Sequence, residues 1–206
     1  MYPTCASCTV HSCQNGTREG LPQNCPMRSD AFFQETTPEY LKEENHRFYV
    51  TSTSIEGLGY GQWTRLRETV ELCKAMGYRR VGLAFCAGLR REAKVVETVL
   101  RRHRLEVVSV ICKTGGIPKE DVGIPPEGKI RAEDREFMCN PIAQAKLLNA
   151  ANTELNIALG LCVGHDSLFY KYSDALVTTL VAKDRVLAHN PVGAVYCAES
   201  YYRDKL

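Results

Sequence analysis

Apolar positions from residue 63 onward alternate between two rhythms. Trp63, Leu66, Val70, Cys73 and Met76 recur at helical spacing, and Gly77 ends that run. RVGLAFC at 80–86 is an apolar run of strand length. Leu89, Ala93, Val96, Leu100 and His103 then mark one face of a helix over 89–104. LEVVSVIC at 105–112 predicts a second strand, and a polar Gly/Pro-rich loop follows from 113 to about 127. Asn140-Pro141 predicts a helix start, continuing to Asn152 with Ile142, Ala145, Leu148 and Ala151 inward. ELNIALGLC at 154–162 is a third strand, 165–172 a short helix, and LVTTLVA within 176–182 a fourth strand. His189-Asn190-Pro191 breaks the chain before a final helical segment near 195–203.

The first third is less regular. Thr37-Pro38-Glu39 predicts a helix with Thr37 as N-cap and Pro38 in its first position. The Thr, Ser and Gly content of 49–60 reads as irregular chain with room for a short strand. Residues 1–30 hold almost nothing apolar and are punctuated by Pro3, Gly16, Gly20, Pro22 and Pro26.

Strands alternating with helices predict a mostly parallel sheet covered on both faces. The expected fold is α/β: a Rossmann-like three-layer domain over 31–206, plus a small N-terminal Cys-rich metal-binding module over 1–30. No repeat is present, no G-x-G-x-x-G follows the first strand, and no G-x-x-x-x-G-K-[ST] occurs, so a dinucleotide or P-loop nucleotide site is not supported.

A net charge of +2 is too small to argue for nucleic acid or a membrane surface. The apolar runs are strand-sized, and no basic and apolar leader opens the chain, so the expected location is the cytoplasm. Ten cysteines in a reducing compartment then read as metal ligands, reactive thiols or small buried side chains rather than disulfides.

Four of them, Cys5, Cys8, Cys13 and Cys25, have the spacing C-x2-C-x4-C-x11-C-P. A segment without a hydrophobic core gains its shape from ligand bonds instead. Only Cys5 and Cys8 form the C-x2-C pair typical of zinc sites, and the uneven gaps with Pro26 after the last cysteine favour an iron–sulfur cluster. His11, between Cys8 and Cys13, is a possible substitute ligand.

A second set follows from the strand reading. Cys86, Cys112 and Cys162 each end a strand, and Cys139 precedes the Asn140-Pro141 helix start. In a parallel sheet all four gather at the carboxyl edge, where ligands of open α/β sheets bind. Small buried hydrophobes are the competing use of such cysteines, and the expected one for Cys73. Lys113, His165, Asp166 and His189 lie near the same edge in sequence and are candidates for catalysis or substrate binding. Asp166 equally suits helix capping, Lys183-Asp184-Arg185 a solvated turn, and His46 and His103 structural positions.

The N-terminal C-x2-C-x4-C, FCAGL (85–89), ICKTGG (111–116), MCNPIAQAKLLN (138–149) and GLCVGHDSLFYKYSDA (160–175) together resemble an uncharacterised family of Cys-rich metal-binding proteins from anaerobic bacteria and archaea. The resemblance spans nearly the whole chain and implies metal binding without implying a reaction. A looser architectural likeness is to iron–sulfur desulfidases, which use three cysteines and an open iron. The expected protein is thus an iron–sulfur metalloprotein with two clusters of the 4Fe-4S kind. Its expected role is electron transfer or redox work, coupled to small-molecule chemistry, with a redox partner or small substrate. The alternatives are an iron–sulfur-dependent desulfurase or lyase, and a structural zinc protein with a binding role.

Overall fold

The computed structural model describes residues 1–132 and 135–206. Four apolar segments form one all-parallel sheet: β1 (Arg80–Phe85), β2 (Glu106–Ile111), β3 (Leu155–Leu159) and β4 (Val177–Val181), in the order β2-β1-β3-β4. The central strands carry continuous apolar runs because both of their faces are covered, and every β3 residue is buried. The flanking strands are only partly buried.

The helices of this part are α3 (Arg65–Met76), α4 (Arg90–Arg102), α5 (Pro141–Ala150), α6 (His165–Tyr172) and α7 (Val192–Tyr196). They give a Rossmann-like layered α/β fold. Strand side chains alternate between faces. Ala84 of β1 and Ala158 of β3 meet Ala145 and Leu148 of α5 and Phe169 of α6 in one core. Val81 and Leu83 therefore face the other way, toward the side that α4 covers through Ala93, Val96 and Leu100. Arg65 at the start of α3 donates to Thr179 O (2.6 Å) and Thr178 Oγ1 (3.0 Å) of β4.

Helix ends follow their signals. Thr64 Oγ1 accepts from Arg67 N, and Gly77 closes α3 at φ 74°. Asn140 Oδ1 accepts from Ala143 N at 3.1 Å, capping α5 ahead of Pro141. Asn140→Ala is expected to lower stability by about 1 kcal/mol, read as a shift in the urea midpoint at unchanged m-value.

The chain divides into two units, Met1–Ser54 and Ile55–Leu206. The first contains α1 (Asp30–Thr36) and most of α2 (Glu43–Gly59), preceded by short 3-10 turns at Cys5–Ser7, Ser12–Gln14 and Pro26–Arg28. Among the described residues of this unit, Leu21 is the one buried apolar side chain.

Four expectations need correction. The stretch 49–60 is not irregular: α2 runs through it, and Ser52 and Ser54 bond back to Tyr49 O and Val50 O within the helix. Thr37 does not cap a helix. α1 ends at Thr36, and Pro38 sits in a 3-10 turn, Thr37–Leu41, because it cannot continue the α ladder. His103 is exposed, since α4 stops at Arg102 before its face returns inward. The last helix begins earlier, at Val192 directly after Pro191, and ends at Tyr196.

Candidate metal and thiol site

Parallel strands bring their carboxyl ends to one edge, and each edge cysteine is fixed there by its backbone. Cys86 N donates to Leu159 O (3.1 Å), extending the β1–β3 pairing by one residue. Cys112 N donates to Phe85 O (2.9 Å). Asn140 N donates to Cys112 O (2.7 Å), which ties the segment carrying Cys139 to the end of β2. Cys162 O accepts from His165 N (2.9 Å) and Asp166 N (3.1 Å) at the start of α6. Because β1 is flanked by β2 on one side and β3 on the other, the connections diverge at the β1–β3 boundary. This is the switch point at which open α/β sheets leave a crevice.

Three of the four thiols meet over the carboxyl ends of β1 and β2. Cys139 Sγ lies 3.8 Å from Cys112 Sγ, and Cys86 hydrogen-bonds to Cys112 from the other side. Ala87 N donates to Cys112 Sγ at 3.3 Å. Arg185 Nη2 donates to the sulfur of the fourth, Cys162, at 3.1 Å. Cys86 and Cys112 are buried, and Cys139 and Cys162 half-buried.

The surroundings divide the protons unequally. Hydrogen bonding with Cys139 and then with Cys86, together with burial, pushes the Cys112 thiol far up. Cys86 is lowered to about 4 by the bond from Cys112, aided by Gly88 N–H and Lys183. Cys139 is lowered to about 5 by the bond from Cys112, then by the charges of Lys113 and His165. Within the trio the thiolate form is thus favoured at Cys86 and Cys139 and disfavoured at Cys112, and all three must be deprotonated to bind a metal.

Lysine and arginine reach this edge from the loop after β4. Lys183 Nζ lies over Gly88 and Gly160, about 4 Å from where a side chain on either would begin. The loop is closed by its own bonds. Asp184 Oδ1 accepts from Val186 N and Leu187 N (2.9 Å each), His189 N donates to Asp184 O (2.8 Å), and Asp184 N donates to His189 Nδ1 (3.1 Å). The His189 ring is thereby committed to the loop that aims Lys183 and Arg185. Lys113 Nζ donates to Phe137 O and lines an open cavity of about 410 Å³ with Gly116, Ile130, Glu136 and Phe137. Asp166 Oδ1 accepts from Ser167 N in the first turn of α6, and Gly164 holds the N-cap position. Gln144, fully buried, donates to Val110 O (2.7 Å) and Phe85 O (3.3 Å) beside the strand ends.

Lys183 and Arg185 both reach this edge, and Arg185 does so from an exposed turn. Cys73 is a core residue as expected, fully buried, with its thiol pushed up to about 12 by burial.

In the first unit, Cys5, Cys8 and Cys25 line one cavity of about 210 Å³, and Cys13 is not among its lining residues. Backbone N–H groups of His11 and Val10 donate to Cys8 Sγ and lower its pKa.

Soft thiolate donors backed by cations and N–H groups fit zinc or an iron–sulfur cluster. Among the described residues, no three His, Cys, Asp or Glu side chains surround a common point as ligands of one ion would. Cluster ligands each bind a different iron, so they stand farther apart than the ligands of a single ion.

With Cys139 partly open, the metal-free chain under reducing conditions should be alkylated by iodoacetamide at Cys139 at pH 6. An ordinary thiol at that pH is less than about one-hundredth ionised. Lys113→Met should slow the reaction severalfold. Mass-spectrometric rates equal to those of the denatured chain at pH 6 would contradict the charge distribution described here.

Among the described residues no helix is long and apolar enough to cross a membrane. A family model described as "Protein of unknown function (DUF1847)" matches residues 25–180, a span that holds Cys86, Cys112, Cys139 and Cys162. An uncharacterized protein of Methanocaldococcus jannaschii, MJ0455, is 45% identical over 202 residues, covering 98% of this chain and 97% of that one. On both counts this cysteine-rich α/β chain belongs to the DUF1847 family.

Proposed function

We propose that this protein is an iron–sulfur protein whose working centre sits at the carboxyl edge of the sheet, held by Cys86, Cys112 and Cys139. Its role is redox chemistry on, or electron delivery to, a small molecule. The observation that supports this reading best is the meeting of three thiols at the carboxyl ends of β1 and β2. A fold needs no thiols there, since alanine, serine or valine would fill the same positions. An iron–sulfur cluster, when bound, supplies one-electron chemistry at a potential set by its surroundings. The chain's contribution is electrostatic. Ala87 and Gly88 N–H groups, Lys183 and Arg185 stabilise thiolate charge, and donors of this kind raise the potential of a cluster they face. Lys113 and His165 add charge beside Cys139, where an anionic substrate or a proton path would be served.

A second reading has one observation in its favour. Arg185 donates to the Cys162 sulfur, so Cys162 already has a partner outside the trio, and a centre held by the trio alone would keep a free position on its fourth side. That arrangement suits an iron–sulfur-dependent enzyme such as a desulfurase or lyase, in which substrate binds the free position beside Arg185.

Anaerobic purification followed by ultraviolet–visible spectroscopy and iron, sulfide and zinc analysis tests the proposal. Iron and acid-labile sulfide in equal amounts, with broad absorption near 400 nm (roughly, as for thiolate-ligated iron), are expected. Zinc without sulfide would replace this reading by the structural one.

A further inference from the structure

We propose that the cavity of the N-terminal unit seats a second cluster held by Cys5, Cys8 and Cys25 alone, with Cys13 outside the ligand set and one iron open to a small ligand from solution. The proposal rests on the iron–sulfur reading for the kind of metal and on its own geometry for the site.

The 3-10 turn Cys5–Ser7 closes with Cys8 N donating to Cys5 O (3.1 Å), which puts the first two cysteines at either end of one turn. Cys25 N donates to Pro22 O (3.0 Å), and Arg28 donates to Pro22 O (2.9 Å) and Leu21 O (2.6 Å), so the third cysteine is held by a second stapled turn. Asn24 joins the two turns by donating to Tyr2 O (3.1 Å) and Thr4 Oγ1 (2.8 Å). The resulting cavity is lined by all three sulfur-bearing residues. Cys13 belongs to a different turn, Ser12–Gln14, whose Ser12 Oγ donates to Glu19 O (2.8 Å), and it is exposed.

The cavity measures about 210 Å³, which leaves room for a polyatomic cluster. The N–H groups of Val10 and His11 aimed at Cys8 Sγ are the donors that a cluster thiolate takes from its backbone. The rest of the lining is neutral, with Thr4, Ser7 and Thr9 among it, and suits a water, hydroxide or small anion at an open iron. Ligand bonds also answer the energetic question of this unit. With Leu21 as its one buried apolar side chain among the described residues, a hydrophobic core does not hold it together.

The test uses the full chain, prepared anaerobically, with Cys86, Cys112 and Cys139 all changed to serine, so that remaining iron is N-terminal. This background is expected to keep about four irons and four sulfides per chain. Adding Cys13→Ser should change neither count, and adding Cys5→Ser, Cys8→Ser or Cys25→Ser should each lower both at least tenfold. Cyanide should alter the electron paramagnetic resonance spectrum of the reduced background protein by binding the open iron. Loss of iron on adding Cys13→Ser overturns the three-cysteine set, and an unchanged spectrum with cyanide overturns the open position. A wild type with iron and a background without any overturns the N-terminal site while the edge reading stands. A wild type without iron overturns both.

Discussion

Serine in place of Cys112 is expected to remove all metal from the carboxyl edge while leaving the fold in place. Cys112 is the middle thiol of the trio, with Cys139 Sγ at 3.8 Å on one side and Cys86 on the other. It is also the thiol whose proton must leave before the three act together. A serine hydroxyl is close in shape and still accepts from Ala87 N, so the cost to the metal-free fold is about 1 kcal/mol. It is a far poorer ligand for iron than a thiolate. Iron and sulfide should therefore fall to the share of the N-terminal unit. Far-ultraviolet circular dichroism should be unchanged, and the urea midpoint should shift by only a small amount. Full iron content in this variant would remove Cys112 from the ligand set.

Gly82→Ala is expected to be the most destabilising single-methyl change in the sheet. Gly82 lies mid-way along β1 with β2 on one side and β3 on the other. A Cβ there would fall 2.0 Å from Asn156 Oδ1 and 2.7 Å from Leu148 Cδ1. Neither neighbour has room to move. Leu148 is fully buried in the core on α5. Asn156 is fully buried and fixed at both ends of its amide, with Oδ1 accepting from Thr153 Oγ1 (2.8 Å) and Nδ2 donating to Ser173 Oγ (2.7 Å). Overpacking costs about 1–3 kcal/mol, and displacing the Asn156 amide leaves buried polar groups unpaired at about 1–3 kcal/mol more. The sum, about 2–6 kcal/mol, is a large part of the stability of such a domain. Equilibrium urea unfolding measures it, and a loss under about 1 kcal/mol would mean that β1 relaxes in a way this packing does not allow.

The two results report on different levels of the same architecture. The sheet core was legible in the chain because β1 and β3 are buried on both faces, and such strands read as unbroken apolar runs. Their ends then located Cys86, Cys112 and Cys162 at one edge. The α5 start was legible from Asn140-Pro141, and with it the place of Cys139 beside Cys112. α2 was not legible, because Thr51, Ser52, Thr53, Ser54, Gly57 and Gly59 are weak helix formers in isolation. Back-bonding of the serine hydroxyls accommodates them in the helix.

At the site, adjacency along an edge was legible and distance across it was not. Three strand-end cysteines look equivalent in sequence. Yet Cys162 lies three residues beyond the end of β3, after Gly160 at φ 64°, while Cys86 and Cys112 directly follow their strands. Past that offset its sulfur accepts from Arg185. Lys183 and Arg185 were legible as charges following the fourth strand, but not their reach, which depends on a loop closed by Asp184 and His189 through local bonds. His189 Nδ1 accepts a backbone N–H within that loop.

The most direct measurement is anomalous diffraction at the iron absorption edge from crystals of anaerobically prepared wild-type protein. The account predicts an iron peak over the carboxyl ends of β1 and β2, within bonding reach of the sulfurs of Cys86, Cys112 and Cys139. Sulfurs at those three positions with no iron density between them, in protein whose iron content has been verified, would contradict it.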